Sequence, residues 1–270
     1  MSCVRCIRSK IAVWPIRICR DLPSPVWPTF AGRKPIRVLS AEEIAQILAA
    51  HQRYRETEYH EGHRADFSSV DLTGRDFSGL NLRGVKMDRA VLRGADFSGA
   101  NLRGGNLIGS IAHQARFDGA DLSRARLSGA DLVSASFENA RLARAEMEFA
   151  LMADAVLLGA CLGEADMSGA QLDRAVLTGA DLRKANLRGA GLRGAQLDGA
   201  DLRDARMGSA LLAGASLRGA DLRGAYLRLA KLDGADLSDA NLEGTEGLMQ
   251  AQLDPAHLNV GTKLPEGLTG

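Results

Sequence analysis

Few residues in this chain have the type and spacing that metal chemistry needs. Cys3 and Cys6 are spaced like half of a zinc site, but no second pair follows, and Cys19 and Cys161 stand apart. A structural zinc ion takes four such ligands, so we expect no metal here.

Histidine chemistry is equally poorly supported. His60 and His63 flank Glu61 and Gly62 and lie one residue closer together than the two histidines of a helical zinc-protease signature, so they would not share a helical face. We expect a solvated loop instead. The repetitive part of the chain holds a single histidine, His113, and offers no Ser-His-Asp set. We therefore expect a non-enzymatic protein with no cofactor.

Net charge and hydropathy bear on the kinds of partner and location to expect for this protein. The 34 Lys and Arg residues nearly balance the 33 Asp and Glu residues, giving a net charge of +1. The chain as a whole does not therefore point to nucleic acid or to a basic partner. No run approaches the ~18 apolar residues of a membrane span. These features predict a soluble, cytoplasmic protein.

The elements that must position the side chains follow a period of five. From Phe67 to Leu242, 36 positions spaced by five are all Leu, Phe or Met, except Ala112. A small residue stands two places before most of them, and from Ala115 to Ala240 it is always Ala, often with Asp or Asn between the two. This period fits neither a helix nor a continuous strand, so the chain must turn once per unit. Within each extended unit, Ala and Leu face inward and the residue between them faces outward.

A second period of twenty sets the size of the coil. Phe77, Phe97, Phe117 and Phe137 are separated by twenty residues, as identical neighbours in stacked coils would be. Twenty residues are four units, so each coil has four sides, and the 36 units make about nine coils. The sequence predicts an all-β solenoid.

The run from Ala65 to Gly244 resembles the pentapeptide-repeat family, with units of the form Ala-(Asp/Asn)-Leu-x-x. The resemblance implies a right-handed quadrilateral β-helix. Ala112, preceded by Gly105 and Ser110, departs from the pattern, and we interpret it as a locally underpacked coil in an unbroken register.

Four segments are predicted along the chain: 1–38, 39–64, 65–244 and 245–270. In 39–64, Ser40 and Glu43 fit a capping box and Leu39 and Ile44 a hydrophobic staple, which predicts a capping helix from about Ala41 to Tyr54. The tail 245–270 loses the five-residue register and resembles the C-terminal caps of the family.

Residues 1–38 carry eight basic residues against one acidic residue, together with five prolines. This composition favours a disordered segment. Two alternatives stay open: a tether to nucleic acid or a membrane surface, and a natural translation start near Val38.

Two sides of the coil differ in charge. The side built on Phe77 and its equivalents carries seven acidic residues against Arg116 and Arg218. Its acids are Asp76, Asp96, Asp118, Glu138, Asp198, Asp236 and Asp239. The next side, built on Leu82 to Leu242, carries nine basic residues against seven acidic ones.

Five outward positions carry apolar residues where the repeat normally has polar ones. They are Phe149, Leu151, Val156, Leu158 and Val176. Phe149 and Leu151 flank one corner, and Val156, Leu158 and Val176 lie on the acidic side in two stacked coils. Together they predict an apolar island inside an acidic surface, which is typical of a partner site, although tolerated drift is the alternative.

We therefore expect an interaction or scaffold protein that presents the faces of a rigid β-helix to a protein partner. The family resemblance implies an alternative, a DNA mimic that binds and modulates DNA gyrase, and also a homodimer formed through the C-terminal cap. The repeat region carries 22 basic and 24 acidic residues, a balance that argues against mimicry and against direct nucleic-acid binding by the repeats.

Overall fold

The computed structural model describes residues 35–269 of the 270-residue chain. Its elements, in chain order, are strand β1 (Arg37–Val38), helix α1 (Ala41–Glu56), strand β2 (Val70–Asp71) and helix α2 (Gln250–Leu253). Between β2 and α2 the chain repeats one motif, an extended residue followed by a tight turn, every five residues. The regular helices and strands therefore lie at the two ends of the repeat region.

Parallel pairing between residues twenty apart holds the repeats together. Val156, for example, bridges to Val176. The Leu157 N–H donates to the Val176 carbonyl at 2.7 Å, and the Val176 N–H donates to the Ala155 carbonyl at 2.9 Å. The same pairing recurs on four ladders per coil from Asp66 to Asn241. The repeat region is thus a four-sided parallel β-helix with twenty residues per coil.

The four sides are named here by the inward residue of their first coil. They are the Phe67 side, the Leu72 side, the acidic side (Phe77) and the arginine side (Leu82), and each continues at steps of twenty residues.

Each corner is a hydrogen-bonded turn. In the unit that begins at Ala95, the Ala100 N–H donates to the Phe97 carbonyl at 3.0 Å, and Asp96 Oδ1 accepts the Ser98 N–H at 2.8 Å. The residue before each corner has φ near +60°, which glycine adopts at Gly99 without strain. The Asp or Asn of the repeat therefore stabilises the turn and leaves Leu and Ala inside.

The core is a stack of leucine, alanine and phenylalanine with almost no exposed surface. Phe77, Phe97, Phe117 and Phe137 form a ladder with centroids 4.8 to 5.1 Å apart and ring planes within 8° of parallel. Burial of each large apolar side chain contributes about 1.5 to 3 kcal/mol before chain entropy is subtracted. Ala112 is fully buried and keeps its ladder bond, since its N–H donates to the Asp131 carbonyl at 2.7 Å.

Helix α1 begins with a capping box. The Ser40 N–H donates to Glu43 Oε2 at 2.7 Å, and the Glu43 N–H donates to Ser40 Oγ at 3.1 Å. Leu39 and Ile44 are buried in the same core cluster as the repeats, with Ile47 and Leu48 packed against it. This apolar face of α1 therefore contacts the first coil.

The segment boundary predicted at residue 38 falls at the end of strand β1. Arg37 and Val38 form β1, which pairs in parallel with Val70 and Asp71. The Arg37 N–H donates to the Ser69 carbonyl at 2.8 Å. The first coil has no preceding coil to supply this partner, so β1 takes that place. The prediction of disorder for residues 1–34 falls outside the described residues.

The C-terminal segment continues two ladders with longer steps. His257 bridges to Asp236 and Lys263 to Asn241, at separations of 21 and 22 residues instead of 20. The Gln252 side chain donates to the Leu227 and Ala230 carbonyls, each at 2.9 Å. Backbone and side-chain donors therefore satisfy carbonyl groups at this end of the β-helix.

Candidate partner surface

Phe149 lies at the corner between the Phe67 side and the Leu72 side. Its side chain is 70% exposed and its φ is +56°. The ring lies against Gly169 of the next coil, where an added Cβ would stand only 2.6 Å from a ring carbon. The missing side chain at Gly169 therefore makes room for an exposed aromatic ring.

Leu151 follows on the Leu72 side, half-buried between Asp131 and Gln171 in its ladder. It lies two residues after Phe149, on the far side of the same corner. It does not lie on the acidic side.

Val156 and Val176 are direct ladder neighbours on the acidic side, and both are half-buried. Leu158, two residues after Val156, is 41% exposed. In the column of outward residues that contains Leu158, Glu138 stands one coil before it and Asp198 two coils after it. We call Val156, Leu158 and Val176 the valine–leucine patch.

An ion pair separates this patch from Leu151. At the corner between the Leu72 side and the acidic side, Arg174 Nε and Nη2 donate to the two carboxylate oxygens of Asp154 at 2.7 and 2.6 Å. The five residues therefore lie as two groups, Phe149 with Leu151 at one corner and the valine–leucine patch on the acidic side. The reason is the sharp corner after every five residues, which turns Leu151 and Val156 in different directions.

Sequence reasoning missed further apolar residues on the Leu72 side. Val91 and Ile111 are ladder neighbours, and Leu211 lies further along the ladder that also contains Leu151. Counting outward residues at steps of twenty on this side would have found them. Leu229 and Met249, near the C-terminal end, are 62% and 63% exposed and line a cleft of about 200 Å³.

Ion pairs reduce the charge of the acidic side. Arg116 lies 3.3 Å from Asp96 and 3.4 Å from Asp118, and Arg218 lies 3.6 Å from Asp236. Hydrogen bonding by Ser98, whose N–H donates to Asp96 Oδ1 at 2.8 Å, holds the pKa of Asp96 below its ordinary value. The two arginines neutralise part of the field of these carboxylates locally.

The histidines and cysteines considered in the sequence analysis can be placed in part in the structure. His60 and His63 are exposed in the loop after α1. Residues 35–269 contain no group of three or more His, Cys, Asp or Glu side chains placed to hold a metal ion. Cys161 is exposed, and the pair Cys3 and Cys6 lies outside the described residues. None of the helices in this range has the length and apolar character that crossing a membrane requires.

Comparison with known proteins adds the family. A sequence model of pentapeptide repeats matches residues 65–104, 106–139, 130–169, 170–208 and 210–245, with eight copies. No curated protein matches the chain.

Among solved structures, the chain is similar to HetL, a pentapeptide-repeat protein involved in heterocyst differentiation regulation in the cyanobacterium Nostoc sp. strain PCC 7120. The two share 31% identity over 81% of this chain and 97% of HetL, with a TM-score of 0.43. QnrB1, a plasmid-mediated fluoroquinolone resistance protein, shares 22% identity over 70% of this chain and 91% of its own, with a TM-score of 0.38.

Rfr23, a pentapeptide-repeat protein from the cyanobacterium Cyanothece 51142, shares 32% identity over 37% of this chain and 63% of its own, with a TM-score of 0.29. The matched ranges cover residues 65–245 except residues 105 and 209, which is the region that the parallel ladders of the structure occupy. The chain belongs to the pentapeptide-repeat family.

Proposed function

We propose that this protein is a non-enzymatic scaffold that binds another protein through the sides of a rigid β-helix. In this proposal, residues 39–64 and 245–270 cap the two ends, and 65–244 form about nine coils. The observation that carries it is the valine–leucine patch, where three apolar side chains meet on a side whose other outward residues are mostly polar.

The geometry of the patch favours a protein partner. Every coil is fixed by backbone bonds to the coils before and after it, so the patch needs no ordering before it binds. Apolar groups at the centre of a contact, surrounded by polar groups, are typical of protein interfaces. Because Glu138 and Asp198 stand near the patch, the partner should carry basic residues around an apolar centre.

The direct test is Leu158→Asp in the full-length chain. Asp118 and Asp198 occupy the equivalent outward position in other coils, so the β-helix accommodates an aspartate there. A partner captured from source-cell extract by the wild-type protein should be lost, since a charge in the centre of an apolar contact commonly costs more than about 1 kcal/mol.

Ser78→Asp provides a matched control. It changes the charge by the same amount, in the same column and on an exposed residue four coils away. The control should retain the partner. Equal capture by the wild-type protein and Leu158→Asp, with both folded by circular dichroism, would show that the patch is not the partner site. Leu151→Asp then tests the Leu72 side separately.

The family alternative, a DNA mimic that binds gyrase, draws support from the acidic side and from the likeness to QnrB1, a fluoroquinolone resistance protein. The ion pairs of Arg116 and Arg218 weaken that support, because a mimic of DNA needs a continuous negative surface. Purified gyrase included in the same capture experiment decides between the two candidates.

Self-association through the C-terminal segment is a further part of the proposal. The exposed Leu229 and Met249 side chains lie beside one cleft at this end. If a second copy covers them, Met249→Asp should convert a dimer into a monomer in sedimentation equilibrium. An unchanged mass would contradict this part alone.

A further inference from the structure

The arginine side carries two different charge patterns along its length. In the C-terminal half, Arg183, Arg203 and Arg223 each bind the aspartate two residues before them. Arg183 Nε and Nη2 donate to the carboxylate of Asp181 at 2.8 and 2.7 Å, and the other two arginines repeat this geometry with Asp201 and Asp221. These guanidinium groups are neutralised within their own coil.

In the N-terminal half, asparagine replaces the aspartate. Asn81 Oδ1 accepts the backbone N–H of Arg83 at 3.4 Å, and Asn101 Oδ1 accepts that of Arg103 at 3.2 Å. The turn is therefore kept, but the amide offers no charge to the guanidinium. Among residues 35–269, no carboxylate oxygen lies within 4.0 Å of either guanidinium.

The adjacent column extends this positive surface. It runs Arg64, Gly84, Gly104 and Arg124 at steps of one coil, and neither arginine forms an ion pair with the described residues. The Arg64 side chain lies against Gly84, and the space above Gly104 is open. At ~4.8 Å per coil, the column from Arg64 to Arg124 is roughly 14 Å long. Gly104, which has no neighbouring atom within 4 Å of an added Cβ, allows a ligand to approach the backbone.

Two tyrosines border the same surface and complete a cleft of about 300 Å³. Its side chains are Tyr54, Arg55, Tyr59, Arg64, Arg83 and Arg103, and no carboxylate lines it. The Tyr59 ring is 55% exposed, stands 4.9 Å from the Tyr54 ring, and carries the Arg55 guanidinium 5.2 Å from its centroid. We call this site the arginine–tyrosine cleft.

We propose that the arginine–tyrosine cleft binds single-stranded nucleic acid, with phosphates on Arg64, Arg83 and Arg103 and a base stacked on Tyr59. Unpaired arginines beside exposed aromatic rings are the combination that such ligands require. An acidic peptide would use the arginines but would have no use for the tyrosine ring. The proposal is independent of the valine–leucine patch.

One carboxylate lies beside this surface and partly offsets its charge, since Asp121 and Arg103 attract each other without forming an ion pair within 4.0 Å. Asp121 follows Asn101 in the ladder, and its Oδ1 accepts the Ser123 N–H at 3.0 Å. The whole-region balance of 22 basic and 24 acidic residues hides this site because the acids are concentrated elsewhere. The expectation that the repeats do not bind nucleic acid directly rested on this overall balance and did not consider where along the repeats the charges lie.

The test introduces into the N-terminal half of the arginine side the aspartates that neutralise the arginines of its C-terminal half. Asn81→Asp with Asn101→Asp keeps every arginine and places a carboxylate where Asp181 and Asp201 already bind theirs. Binding of a fluorescent oligothymidylate of about 12 nucleotides to the full chain is followed by anisotropy. We expect at least about tenfold weaker binding and a salt slope smaller by about 1.4, at ~0.7 per lost phosphate contact.

Gln171→Asp with Gln196→Asp is the matched control, because it changes the net charge equally at exposed outward positions on other sides. It should bind like the wild-type protein. Equal weakening of both double variants would show binding by overall charge, and no weakening of the first would show that the cleft is not used. Either result overturns the proposal, provided that both variants melt at the wild-type temperature.

Tyr59→Leu separates nucleic acid from an acidic peptide. It should weaken the oligothymidylate severalfold and leave the binding of fluorescent polyglutamate unchanged. Tighter binding of polyglutamate than of oligothymidylate, with no effect of Tyr59→Leu on either, would overturn the assignment to nucleic acid.

Discussion

Replacing Phe117 by leucine tests how much the phenylalanine ladder stabilises the core. The Phe117 ring stacks on Phe97 at 5.1 Å and on Phe137 at 4.8 Å, with interplanar angles of 3° and 8°. Later coils carry leucine at the equivalent position, including Leu157 and Leu177, so the backbone accepts the substitution. The expected loss therefore comes from the rings and the volume and not from a changed fold.

The magnitude follows from the number of stacked partners. Each aromatic pair contributes about 0.5 to 1.5 kcal/mol beyond its buried area, and Phe117→Leu removes two pairs. A cavity about the size of a methyl group adds about 1 kcal/mol. The free energy of unfolding should therefore fall by roughly 2 to 4 kcal/mol.

Phe137→Leu is the control, because Phe137 ends the ladder and, among residues 35–269, stacks on the Phe117 ring alone. Its cost should be roughly 1.5 to 2.5 kcal/mol. Urea unfolding followed by far-ultraviolet circular dichroism measures both variants, and the dependence on urea should stay unchanged. A Phe137→Leu cost equal to or above that of Phe117→Leu would refute stacking as the source of the difference.

Three further predictions concern the core and the turns. Ser110→Ala should stabilise the protein by about 1 kcal/mol in urea unfolding, because the buried Ser110 hydroxyl has no hydrogen-bond partner among residues 35–269; a loss of stability would contradict this. An added Cβ at Gly105 would lie 2.9 Å from the Leu102 carbonyl oxygen and 3.4 Å from a Val85 methyl. Val85→Ala removes the second contact only, so it should couple with Gly105→Ala by about 0.5 to 2 kcal/mol in a double-mutant cycle, and additive costs would show that the Val85 methyl does not contribute to the crowding. Hydrogen bonds from Ser98 lower the pKa of Asp96 in the folded state, so the unfolded chain takes up the proton first as pH falls. The stability contributed by Asp96 is present above about pH 4 and is lost as pH falls through the folded pKa, and Asp96→Asn should reduce the acid-induced drop in thermal midpoint; an unchanged drop would assign it to other groups.

The core positions were predictable because each five-residue unit places the same position of the repeat in the interior. Leu and Phe recur every five residues, and each such position from Phe67 to Leu242 is buried in the structure. The start of α1 was also predictable, since Ser40 and Glu43 form a local capping box that needs no distant partner.

The pairing of β1 could not be read in the same way. Arg37 and Val38 make a two-residue strand with no alternation of its own, and their partners lie more than thirty residues away. What places them there is the open edge of the first coil, which exists only after the β-helix has formed.

The candidate surface sites could likewise be predicted only in part from the sequence. Phe149 and Leu158 were found by their apolar character, but the Asp154–Arg174 ion pair that divides the group depends on how two coils stack at a corner. The arginine–tyrosine cleft was missed because charges were summed along a whole side. Its signal, Asn81 and Asn101 in place of aspartate, was present in the sequence.

Because each coil has twenty residues, the side of the β-helix on which a surface residue lies follows from its position in the sequence. Removing one whole coil would shorten the rod and keep all later side chains at their original angle around its axis. Removing a single five-residue unit would instead rotate everything downstream by one side, carrying Leu158 away from the column of Asp118 while the core remained filled with leucine. A deletion of twenty residues therefore keeps every later surface residue on its original side of the β-helix, whereas a deletion of five residues moves every later residue to a different side.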